Sequence, residues 1–167
     1  MVQLGACSPG MEWMGDRTIE QYINNADRGD WLLWLAEKIN IPFKELTLAK
    51  GRCAETVIHL MKDERSKAAV KAAIDFGSGL ITEDELAAAA NAATVAFTSA
   101  ATFTTFAAFA ASSADAVASA VAFAAADAAA FADTSAARKK NRQLTADICK
   151  QVLGKLLIDN VNQLLNK

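Results

Sequence analysis

The chain is short of the residues that punctuate sheet proteins and build metal centres. It has two prolines, eight glycines, one tyrosine and one histidine in 167 residues. Strands favour β-branched and aromatic residues and are broken by turn formers, so this composition argues against a sheet fold. The single histidine, His59, excludes a multi-histidine metal site within one chain. The three cysteines, Cys7, Cys53 and Cys149, are odd in number, far apart and without a CxxC pair. A disulfide framework or zinc ribbon is therefore not expected, and the thiols read as reduced and half-buried. Met1–Cys7 has neither a basic region nor an apolar run, so no signal peptide is expected.

Hydrophobic residues make up 53% and charged residues 22%, enough for a packed core in one domain. The net charge of −2 gives no reason to expect general nucleic-acid binding. Charge is unevenly placed. Residues 1–86 carry 10 basic and 14 acidic groups, whereas residues 134–167 carry seven basic and two acidic ones. Most of that basic excess begins with Arg138-Lys139-Lys140-Asn141-Arg142. Cations early in a helix oppose its dipole, so the cluster is either mid-helical or costly. Arginine forks and lysine point charges suit phosphate oxygens, so it is a candidate phosphate site.

Helical periodicity runs through most of the chain. A loop-rich leader, residues 1–27, ends in a short helix near Thr18–Ala26. Asp30 precedes an apolar run and is expected to cap a helix that stops near Asn40, ahead of Pro42. The next helix is expected over Phe43–Met61, with Leu46, Ala49, Cys53, Val57 and Leu60 on one face. Gly51 inside it implies a close neighbour. A helix opened by Lys62 or Asp63 ends at Gly77-Ser78-Gly79. Thr82 and Glu85 form a capping box for the following helix. The last segment, Leu144–Leu165, places Leu144, Ile148, Val152, Leu156, Leu157, Val161, Leu164 and Leu165 in helical register.

From Ala87 to Ala137 there is no glycine, proline or basic residue, and 27 of these 51 residues are alanine. Alanine is the best helix former, and breaks are expected only near 111–114 and Thr134-Ser135. Phe103, Phe106 and Phe109 span an arc of about 120°, with Phe97 on the other side, so the helix touches more than one neighbour. Asn91, Thr94, Thr98, Thr102 and Thr105 form a second row, similar to the threonine rows of some ice-binding helices. The plain alternative is a solvated face or threonines bonded back to carbonyls. The tract is long enough to cross a bilayer, but alanine and threonine are weakly hydrophobic and Asp115, Asp127 and Asp133 follow, so a membrane span is not expected.

No P-loop, dinucleotide fingerprint, zinc-protease motif or nucleophile elbow is present. Cys53 and His59 are six residues apart, about 240° around a helix, so they do not form a nucleophile pair. The acidic pairs at Asp63-Glu64 and Glu83–Glu85 read as helix caps. No catalytic residue, metal or cofactor is expected, and the chain is not read as an enzyme. Trp13, Trp31 and Trp34 carry the sharper alternative to core packing. Trp31 and Trp34 share a helix face, suited to stacking a base or gripping a partner. Arg52, His59 and Arg65 are candidates for the polar half of such a pocket, with Arg138, Lys139 and Arg142 as phosphate ligands.

Several runs occur together: Leu4-Gly-Ala-Cys7, Gly10-Met-Glu-Trp13, Gly15-Asp-Arg-Thr18, Arg28-Gly-Asp-Trp-Leu-Leu-Trp34, and Arg52-Cys-Ala-Glu55 with His59-Leu60. In these the chain resembles alanine-rich small proteins of bacteriophages and prophages. From Arg52 through Asp63–Lys71 to Thr82–Ala90 it also resembles a family of immunity proteins. That family usually has a proline near position 66 between arginines, where this chain has Arg65-Ser66-Lys67. The resemblance implies a helical fold, an association with phage–host conflict and no catalytic motif. Together these readings predict an all-α, alanine-rich multi-helix bundle that is a homodimer or higher homo-oligomer. The expected function is a counter-defence protein in the bacterial cytoplasm, sequestering a nucleotide-derived immune signal. The alternatives are an inhibitor that binds a toxin or defence protein, and a structural or ice-binding helix protein.

Overall fold

The computed structural model describes residues 8–61, 63–99 and 135–165. Among these residues every regular element is helical, and there are seven α-helices. They are α1 (Ser8–Met14), α2 (Ile19–Asn25), α3 (Gly29–Lys38), α4 (Phe43–Glu55), α5 (Glu64–Gly77), α6 (Glu83–Ser99) and α7 (Ser135–Leu165), with a 3-10 turn at Ile58–Leu60 between α4 and α5. The alanine tract beyond Ser99 lies outside the described residues. So do its expected break at 111–114, its phenylalanine arc and Cys7, and the side chains of the threonine row, Trp13 and Arg138.

Local chemistry sets most helix ends. Thr18 caps α2 through its hydroxyl to the Gln21 N–H at 3.2 Å, and the Thr18 N–H donates to Gln21 Oε1 at 3.0 Å. The Thr82–Glu85 box before α6 is reciprocal in the same way, at 2.8 and 3.3 Å. Asp63 caps α5 by accepting from the Arg65 N–H at 2.8 Å. Two helices end in Schellman turns. Asn40, with φ 55°, follows α3, where the Ile41 N–H reaches the Ala36 carbonyl and the Asn40 N–H that of Glu37. Gly79, with φ 76°, does the same after α5, with Leu80 bonded to Asp75 and Gly79 to Phe76.

Two expectations are corrected. Asp30 is not the cap of α3. The helix begins two residues earlier, at Gly29, with Arg28 at the cap position, and the Asp30 carboxylate is instead taken by the Arg28 guanidinium. α4 stops at Glu55 rather than Met61, where the Val57 N–H tightens onto the Ala54 carbonyl and the Thr56 hydroxyl lies 2.7 Å from the Cys53 carbonyl. The buried stripe of α7 is Ala146, Cys149, Leu153 and Leu157. Ile148, Val152, Leu156 and Val161 flank it half-buried, while Leu144, Leu164 and Leu165 are exposed. Small residues at 146 and 149 let α7 approach its neighbours closely, and that decides which face turns inward.

The core is built around α4. Leu46, Ala49 and Cys53 join Tyr22, Ile23, Leu32, Leu35 and Ala36 and the α7 stripe in one cluster. Behind α4, Ala54 meets Ala69 and Val70 of α5, and α6 covers α5 through Leu86 and Ala93. Glycine sets the spacing of the α4–α5 pair. A Cβ at Gly51 would stand 3.0 Å from Ile74 Cγ1, and one at Gly77 would stand 2.4 Å from Leu48 Cβ. The same pairs show α4 and α5 to be antiparallel. Between α3 and α4, the Lys50 ammonium is buried and bonded to Glu37 at 2.6 Å. No helix of the described residues is long and apolar enough to cross a membrane.

Candidate functional site

Three helices meet at Thr145. The first residue of α3, Gly29, lies so close that a Cβ on it would stand 2.7 Å from the Thr145 carbonyl carbon. Cys53 of α4 points its Sγ at the Thr145 carbonyl oxygen, 3.7 Å away. Cys149, one turn further along α7, has its Sγ 3.6 Å from the Gly29 carbonyl oxygen and 3.7 Å from Cys53 Sγ. One turn the other way, Asn141 Oδ1 lies 3.0 Å from the Thr56 hydroxyl, whose single proton it shares with the Cys53 carbonyl. Lys150 closes the junction from below, donating to the Ala26 carbonyl at 3.2 Å and pairing with Asp147 at 2.7 Å.

Several of the candidate residues are sequence neighbours of this junction, though Trp31 lies about 200° around α3 from the Gly29 face. Trp31 is two residues beyond Gly29, Arg52 adjoins Cys53, and Arg142 lies one turn before Thr145 with Lys139 one turn earlier still. Lys139, Lys140 and Arg142 are exposed, and none forms an ion pair among the described residues. Arg52 is exposed and pairs with Glu55 at 3.3 Å. Together the three exposed cations put positive charge on the first turns of α7, where the helix dipole does nothing to relieve them.

Arg28 belongs to the site although composition and spacing did not single it out. Its guanidinium lies 4.6 Å from the centroid of the Trp31 ring, a cation–π contact. It also grips Asp30 in a fork, 3.1 Å through Nε and 2.5 Å through a terminal nitrogen. The signal for it was the order Arg28-Gly-Asp-Trp31, which places a cation and an indole within the first turn of one helix. Trp34 differs from Trp31. It packs against the main core cluster, so its ring is mainly structural.

Two further candidates, His59 and Arg65, sit on other elements. His59 is exposed on the 3-10 turn. Arg65 sits at the start of α5, where both nitrogens of its fork bind Asp63, at 3.1 and 2.9 Å. That fork and the Arg65 backbone N–H hold the Asp63 carboxyl down at about 2. Trp13 is in α1. No group of three or more histidine, cysteine or acidic side chains suited to a metal occurs among the described residues. The cysteine pair was invisible to local reading, since its members are 96 residues apart. The hydrogen bond with Cys53, and burial after it, push the Cys149 thiol far above the usual range.

No family model matches this chain, and neither the curated proteins nor the solved structures contain a match.

Proposed function

We propose that this chain is a non-catalytic binding protein that sequesters a nucleotide-derived signal, in the manner of a phage counter-defence protein acting in the bacterial cytoplasm. The phage context rests on the resemblance in residues 4–34 and 52–90. The observation that carries the ligand class is the group of exposed cations Lys139, Lys140 and Arg142, without an ion pair among the described residues, on the helix that packs against the start of α3. Phosphate oxygens would pair with the α7 cations, and a base would stack on the indole, with Arg28 on its other face or displaced. Arg52 is close in sequence to the junction and becomes available if Glu55 releases it. The same proposal takes the protein as a homodimer joined through the alanine tract.

Calorimetric titration with cyclic dinucleotides and cyclic ADP-ribose isomers tests this. Tight binding of at least one, with the ligand recovered intact and affinity falling steeply with salt, is the expected result. Lys139→Glu with Arg142→Glu should abolish it without lowering Tm. Recovery of a cleaved ligand would make the protein an enzyme, and silence across the panel would remove the nucleotide reading. Light scattering at tens of micromolar tests the dimer, and a monomer mass would remove that part.

A second reading, an inhibitor docked on a toxin or defence enzyme, is favoured by Leu144. This leucine is 45% exposed in the same stretch of α7 as the exposed cations, an apolar group among charges as in many protein interfaces. Co-purification of one host protein, lost on Leu144→Asp, would support it.

A further inference from the structure

Cys53 and Cys149 are the reactive groups that the ligand reading leaves unused. Their sulfurs are 3.7 Å apart, side by side at the place where α4 and α7 touch. A disulfide bond is about 2.05 Å long, so the sulfurs need to close by roughly 1.7 Å. The two thiols are not equally placed. Cys149 is fully enclosed, whereas Cys53 keeps 8% exposure. Among the described residues no histidine, lysine or arginine side chain hydrogen-bonds either thiol; the polar atoms facing them are each other and the carbonyls of Thr145 and Gly29. Packing alone does not call for two thiols facing each other, because alanine or valine fills such a gap without reactive chemistry.

We propose that Cys53 and Cys149 are a peroxide-oxidisable pair that forms an intramolecular disulfide, stapling α4 to α7. Cys53, as thiolate during a local opening, attacks a hydroperoxide; the O–O bond breaks, and the sulfur is oxidised to a sulfenic acid as the alkoxide or hydroxide leaves and takes up a proton. Cys149 then attacks that sulfur. The S–O bond breaks, the S–S bond forms, and water leaves with the proton from the Cys149 thiol. The sum is two thiols and one hydroperoxide to one disulfide, one water and one alcohol or second water. Enclosure makes the step slow and selective, since the oxidant reaches the pair only when the α4–α7 contact breathes. This inference stands on the thiol geometry and does not rest on the ligand reading.

Full-length protein exposed to hydrogen peroxide, then unfolded and treated with iodoacetamide, provides the test. The expected product is 2 Da lighter, alkylated once at Cys7, with a cross-linked peptide pair containing Cys53 and Cys149. Its Tm should rise by about 5 °C or more and return on treatment with dithiothreitol, because the link closes a long loop. Cys53→Ser and Cys149→Ser should show neither change. A Cys7→Ser variant, which should still form the staple, covers the case where those two fold poorly. Cys53 driven to sulfinic acid while Cys149 still alkylates would overturn the proposal, as would disulfides formed only through Cys7.

Discussion

Gly29 and Thr145 touch backbone to backbone, leaving no room for even a methyl group between α3 and α7. The contact sets how closely the start of α3 approaches α7. Gly29→Ala should therefore force the helices apart, costing about 2 kcal/mol and lowering Tm by several degrees. Gly154→Ala is the matched control on α7. A Cβ there meets nothing within 4 Å, so the change should stabilise the helix by about 0.5–1 kcal/mol. Thermal denaturation of both variants decides it, and equal shifts of the same sign would contradict the packing described.

Trp31 and Trp34 should separate function from stability. Trp34→Ala removes a ring packed on the main core and should cost about 2–3 kcal/mol. Trp31→Ala removes the partner of Arg28 and should cost about 1 kcal/mol or less. Under the proposed function only the second variant keeps the fold and loses the ligand. Denaturant titration beside calorimetry reads both effects.

The cap of α5 should survive unusual acidity. Arg65 lowers the Asp63 carboxyl to about 2 in the folded state, chiefly through its side-chain hydrogen bond. A depressed folded value means that the contribution to stability is present above the ordinary value near 3.8 and is lost as pH falls through about 2. Carboxyl-carbon NMR titration should give a midpoint near that lower value, and Arg65→Ala should move it upward. A wild-type midpoint near 4 would show that the fork does not persist in solution.

Glu37 should matter more than an exposed carboxylate usually does. It accepts from Lys50, whose side chain is 3% exposed and cannot turn out to water without leaving the core. Glu37→Ala should cost about 2 kcal/mol, by leaving the buried ammonium short of an acceptor. Lys50→Met in the same background should recover most of the loss. Chemical denaturation of the single and double variants measures the coupling.

Much of the fold was legible because its signals are local. The Thr82–Glu85 box, the Gly77–Gly79 stop and the close approach at Gly51 each need only a few neighbouring residues to read. The misreadings share a different cause. Asp30 looks like a cap until Arg28 claims its carboxylate and Gly29 is drawn into the helix against Thr145. Val57 and Leu60 continue the periodicity of α4, but Thr56 meets Asn141, 85 residues away, where the helix gives out. For the site, aromatic and basic residues could be singled out by type. Which of them share a place depended on α7 folding back onto α3 and α4, and no short window contains that.

That return of α7 has a consequence for biosynthesis. Cys149, Leu153 and Leu157 finish a core whose other members lie between Tyr22 and Cys53. A ribosome therefore exposes the apolar sides of α2, α3 and α4 for the whole time it takes to make the intervening stretch. The nascent chain must be kept from aggregating until its last helix emerges, and a message cut short before that point would yield a product for proteases rather than a partly working protein.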